Sequence, residues 1–124
     1  MHAITLVQPR RLAYATLAAL LLAATVFEAT THGLWWPAVA GLVAPDLALA
    51  FGGGSGLARG QLHPRAVGLY NAVHRFWGPL ALIAAASLGV LGLGWFVAGV
   101  AWATHVAVDR AVGYGLRDAA GFQR

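Results

Sequence analysis

Four apolar runs, at residues 12–31, 34–51, 66–88 and 93–112, take up most of a 124-residue chain and leave its formal charges largely to their ends. At about 1.5 Å per residue each run is close to or beyond the length needed to cross a hydrocarbon layer of about 30 Å. Backbone inside such a layer has to satisfy its own N–H and C=O groups, which leaves helices as the solution. The pattern therefore predicts an all-α fold, a four-span transmembrane antiparallel helical bundle forming a single integral membrane domain over residues 1–124. Composition closes the soluble alternative: 60% of the residues are hydrophobic and 10% are charged, against roughly 25% charged in an average soluble domain.

The first run follows Arg10-Arg11. It is longer than the apolar core of a secretion signal, and Phe27-Glu28-Ala29-Thr30 is a poor cleavage site, so it reads as a retained span. The second begins with Trp35-Trp36, where an interfacial aromatic belt belongs, and has Pro37 in its first turn. The third carries Asn71, His74 and Arg75, then Gly78-Pro79, which should kink it. Residues 52–65 form a Gly-rich loop. With no Lys in the chain it cannot be a phosphate-binding P-loop, and it reads as a flexible linker. The absence of Cys removes disulfides, thiolate metal sites and a Cys nucleophile.

All eight basic residues are Arg. Arg10, Arg11, Arg59, Arg65, Arg117 and Arg124 flank the runs on one side of the bundle, and Arg75 and Arg110 lie within runs toward that same side. The positive-inside rule makes that side cytoplasmic, with both termini and the 52–65 loop there. The connections at 32–33 and 89–92 are too short to pass a neighbouring helix, so consecutive spans are adjacent and antiparallel. Ala15, Ala19 and Ala23 would give the first span a close-packing face. The arginines are scattered rather than displayed on a soluble face, so the lipid bilayer is the partner and nucleic acid is not. A bundle of four thin helices also suits a homo-oligomer or a membrane-protein partner.

Polar side chains inside spans are costly and turn toward the bundle interior. Counted at about 1.5 Å per residue, Asp46, His74 and His105 each lie about 18 Å below the outer boundary. Asn71 precedes His74 by three residues and Asp109 follows His105 by four, so each helix offers a polar pair on one face, nearer the cytoplasm. Glu28 and His32 form a separate pair at the outer end.

His74, His105, Asp109 and Asp46 make a nitrogen and oxygen ligand set suited to Zn, Fe or Mn, with Asn71 orienting a ligand from behind. The first reading of these residues is a structural or binding one, as hydrogen-bonding glue between helices; the alternatives are a metal-dependent hydrolase, then a His74–His105 clamp on a haem edge or a transport relay. The relay is the weakest, because no polar chain links Glu28 and His32 to Asp46. If a reaction occurs, metal-assisted hydrolysis of a lipid-like substrate is the class expected, with Asp46 and Asp109 as the catalytic carboxylates. Arg75 and Arg110 flank the cluster and would contact lipid headgroups.

Taken together, Ala44-Pro45-Asp46-Leu47, His63-Pro64-Arg65-Ala66-Val67-Gly68, Tyr70-Asn71 with His74, and His105 through Asp109-Arg110 to Gly113-Tyr114-Gly115-Leu116 resemble domain-of-unknown-function family 4260, over residues 11–122. The resemblance implies a small four-span protein of the bacterial inner membrane and attaches no reaction to it. Three differences accompany it. Ala13-Tyr14 stand where the family pattern has an early Glu, which implies one acidic ligand fewer. Residues 52–62 read as an insertion. The family's Thr-His-Leu-Gly ending lies beyond the position of Phe122.

Overall fold

The computed structural model describes residues 8–124, so the first seven residues of the expected 1–124 domain lie outside it. The described chain is all-helical: α1 (Pro9–His32), α2 (Trp35–Val43) continued by a 3-10 segment (Ala44–Phe51), a single 3-10 turn (Pro64–Ala66), α3 (Val67–Val73), α4 (Trp77–Ser87) and α5 (Leu93–Ala111). By length and composition, α1 alone among the described helices is long and apolar enough to cross a membrane, with Trp35–Phe51 as a shorter apolar helix.

Local chemistry explains the boundaries. Pro9 opens α1 where its missing N–H is not needed, and Gly33 at φ +65° closes it, with the Gly33 and Leu34 N–H groups both donating to Ala29 O. The third run is a correction: residues 66–88 form two helices rather than one kinked span. Pro79 cannot donate to Arg75 and its ring would press on that carbonyl, so α3 stops at Val73 and α4 restarts at Trp77 with Pro79 in its first turn. Two long side chains take up carbonyls exposed at the break. Trp102 Nε1 donates to Val73 O at 2.7 Å, and Arg110 Nη2 donates to His74 O at 2.7 Å.

The core forms around α5, which buries Val97, Gly99, Val100, Ala101, Ala103, Thr104, Val106 and Ala107 against α1, α2 and α4. Small residues let these backbones approach: a Cβ on Gly41 would strike the α5 backbone at Ala98 and lie 2.7 Å from Ala101 Cβ. α1 and α4 run antiparallel to α5, with Arg11 reaching Ala111 and Thr25 facing Thr104, and Gly78 beneath Trp102 and Ile83 against Gly99. The face of α1 turned inward carries Ala18, Thr25 and Ala29; Ala15, Ala19 and Ala23 point outward, contrary to the alanine stripe expected from the sequence. Leu12, Leu20, Phe27, Trp35, Trp36, Leu47, Trp77 and Leu88 are all exposed.

The Gly-rich stretch is a correction too, since it is stitched down rather than left as a flexible linker. Arg65 donates to Phe51 O and Gly53 O at 2.9 and 2.6 Å. The segment after α5 folds back over it, with Leu62 N donating to Gly121 O at 2.9 Å and Gln61 Nε2 to Ala120 O at 2.9 Å. Gly121, at φ +102°, packs so closely on the Leu62 backbone that no side chain could stand there.

Candidate metal centre

Two breaks in regular structure and one continuous helix aim four side chains at one point. His105 and Asp109, four apart on α5, share a face. His74 ends α3 at φ −104°, ψ 18°, outside helical register, and is fully buried. Asp46 sits in the first turn of the 3-10 segment after Pro45. From His74 Nε2 the distances are 3.2 Å to Asp46 Oδ1 and 3.5 Å to Asp109 Oδ2; from His105 Nε2 they are 3.1 and 3.4 Å. The two Nε2 atoms are 3.4 Å apart, and all four ligand atoms lie within 4.8 Å of one another. These four residues could form a metal-binding group.

The far side of each imidazole is already committed. His74 Nδ1 lies 2.8 Å from Tyr70 O and His105 Nδ1 lies 2.7 Å from Leu42 O. A carbonyl only accepts, so each Nδ1 carries a proton and each ring turns its Nε2 toward the carboxylates. Leu42 O is available for a structural reason. In the 3-10 pattern the N–H that would reach it belongs to residue 45, which is Pro. Two imidazole Nε2 atoms and two carboxylates therefore converge on one spot, where positive charge, from an ion or from ring protons, offsets the repulsion between the carboxylates.

The five distances of 3.1–3.5 Å, with all four ligand atoms within 4.8 Å of one another, leave room for one small ion among them, and the same distances suit protonated rings bonded to the carboxylates. The two imidazoles point at the same carboxylates and leave no gap of macrocycle size, so the haem clamp finds no support in this geometry.

Exposure separates the ligands: the Asp46 side chain is 50% exposed, against 0%, 10% and 19% for His74, His105 and Asp109. An apolar cavity of about 280 Å³ lies between α2, α4 and α5 and is lined by the immediate neighbours of the site, Pro45 and Val73, together with Gly41, Leu82 and Trp102.

The other expected site residues lie elsewhere. Asn71 turns away from the cluster: its Nδ2 donates to Arg117 O at 3.0 Å and its Oδ1 accepts from Arg117 N at 2.8 Å, so it anchors the C-terminal segment. Arg75 is exposed, whereas Arg110 is spent in part on His74 O and Tyr114 O. Glu28 and His32 pair at 3.3 Å at the opposite end of α1.

Sequence reasoning assigned no role to Tyr70, whose ring stacks on His74 at 3.9 Å between centroids while the Arg117 guanidinium covers it at 4.8 Å. It also missed the Leu42 carbonyl, for which Pro45 three residues later was the available signal.

The family described as Domain of unknown function (DUF4260) matches residues 11–124, and the chain belongs to it. Comparisons with curated proteins and with solved structures found no match.

Proposed function

For this member of the DUF4260 family, we propose a membrane-embedded metal-binding protein whose centre takes one divalent ion through Asp46, His74, His105 and Asp109. The convergence of two Nδ1-anchored imidazoles and two carboxylates, with their ligand atoms within 4.8 Å of one another, carries this reading. Zinc is the first choice for such a mixed nitrogen and oxygen set, with iron(II) and manganese(II) behind it. Metal analysis of detergent-purified protein tests it. A stoichiometric ion lost in both His74→Ala and His105→Ala supports the centre, and a metal-free protein that keeps its fold would leave the four residues as hydrogen-bonding glue.

The membrane reading rests on the apolar α1, on outward-facing Leu, Phe and Trp side chains, and on arginines gathered at one end. With four spans, the broken third included, the arginine-rich end belongs on the cytoplasmic side of a bacterial inner membrane. Reporter fusions at Ser55 and at the C-terminus should both read cytoplasm; a signal from the opposite side at either position would refute that topology.

The exposure of Asp46 and the adjoining apolar cavity favour a second reading, in which the centre hydrolyses a lipid-like ester. His74, His105 and Asp109 would hold the ion, which would supply Lewis acidity toward the ester and toward water, while Asp46 would take the proton of the attacking water and return it to the departing alkoxide. Incubation with labelled bacterial lipids, with and without chelator, tests this. Chelator-sensitive product that Asp46→Asn abolishes supports hydrolysis, and its absence across lipid classes removes it.

A further inference from the structure

At the arginine-rich end lies a second cavity of about 370 Å³, within the size range of small-molecule sites. Arg10, Arg11, Arg110 and Arg124 line it with Tyr14 and Tyr114, and no Asp or Glu side chain among the described residues does. Four guanidinium groups around one cavity give it a positive potential that favours an anion.

Two of the four are held in place by backbone. Arg11 Nε donates to Ala111 O at 2.8 Å, and Arg110 donates to His74 O at 2.7 Å and to Tyr114 O at 3.4 Å. A guanidinium has five N–H groups in a fixed fork, so each retains donors for a ligand. Arg10 lies over the Tyr14 ring at 5.8 Å. The first turn of α1, a 24-residue helix, borders the same space and adds unpaired N–H groups and the positive end of its dipole.

We propose that this cavity binds a phosphate group carried on a small organic residue. Planar, forked donors match phosphate oxygens two at a time, and the volume leaves room for a substituent. The two sources of that chemistry are the headgroup of an anionic phospholipid, which the tyrosines at this end would help seat at an interface, and a soluble phosphate monoester. The site is independent of the metal reading, because none of the four metal-binding side chains lines it.

The test uses the purified full chain in neutral detergent, titrated separately with phosphatidylglycerol, phosphatidylcholine and glycerol phosphate. Binding is compared between the wild type, an Arg10→Gln/Arg124→Gln variant and an Arg59→Gln control outside the cavity. Neither Arg10 nor Arg124 makes a described side-chain hydrogen bond, so the variant should keep its fold. Saturable binding of phosphatidylglycerol or glycerol phosphate, weakened about tenfold or more in the double variant and unchanged in the control, supports the site. Whichever of the two probes binds identifies the source. Binding of neither, equal retention of phosphatidylcholine and phosphatidylglycerol, or equal affinities in wild type and double variant would overturn it.

Discussion

At the end of the bundle marked by Gly33 and Gly89, the helices meet through Ala29, Ala38 and Val97, and the nearest polar contact between helices is the 3.4 Å approach of Thr25 to Thr104. At the arginine-rich end, side chains reach backbone across large sequence separations: Arg11 to Ala111, Asn71 to Arg117, Trp102 to Val73, His105 to Leu42. The first region is held by the close approach of small residues; the second is held by directional bonds, many of them to carbonyls that helix breaks expose. The contrast teaches where chemistry can be placed. A helix that stays regular satisfies its own backbone and presents only side chains. The broken ones, at Pro45 and Pro79, expose carbonyls that orient His105 and bind Trp102 and Arg110.

Substitutions can break this comparison at either end. Gly41→Leu, driven into the α5 backbone, should destabilise the bundle by about 3 kcal/mol, the upper end of the overpacking range, read as a lowered unfolding midpoint in detergent. A tolerated leucine would mean that α2 and α5 do not touch there. Asn71→Ala removes both side-chain bonds to Arg117 and should cost about 2 kcal/mol. Because Asn71 lies outside the metal centre, its loss should free the C-terminal segment to proteolysis while metal content stays constant. Thr25→Val should cost less than about 0.5 kcal/mol, since the Thr25 hydroxyl already donates to Leu21 O at 2.8 Å and its contact with Thr104 is long. A large loss there would show that hydrogen bonding matters at the apolar end as well.

The four clustered residues were legible because counting along the apolar runs at about 1.5 Å per residue put Asp46, His74 and His105 at a similar level, with Asp109 one turn from His105. The facing of Asn71 was not legible. Its i, i+3 relation to His74 presumes continuous helix, and His74 has left helical register at ψ 18°. The alanine stripe at Ala15, Ala19 and Ala23 failed for a different reason. α1 is rich in small residues all round, and the groove on α5 selects the face bearing Ala18, Thr25 and Ala29. The Gly-rich stretch looked like linker because the bonds that order it come from Ala120 and Gly121, about sixty residues away, which local composition cannot report.

The central claim is that the positive charge among Asp46, His74, His105 and Asp109 is a metal ion rather than ring protons. Inductively coupled plasma mass spectrometry on the detergent-purified full chain, alongside His105→Gln, measures this most directly. The account predicts about one divalent ion per chain in the wild type, with zinc foremost, released on acidification as the ligands take up protons and absent from the variant. A folded wild type with no stoichiometric metal after growth and purification with zinc, iron and manganese supplied, or one whose metal content His105→Gln leaves unchanged, would contradict it.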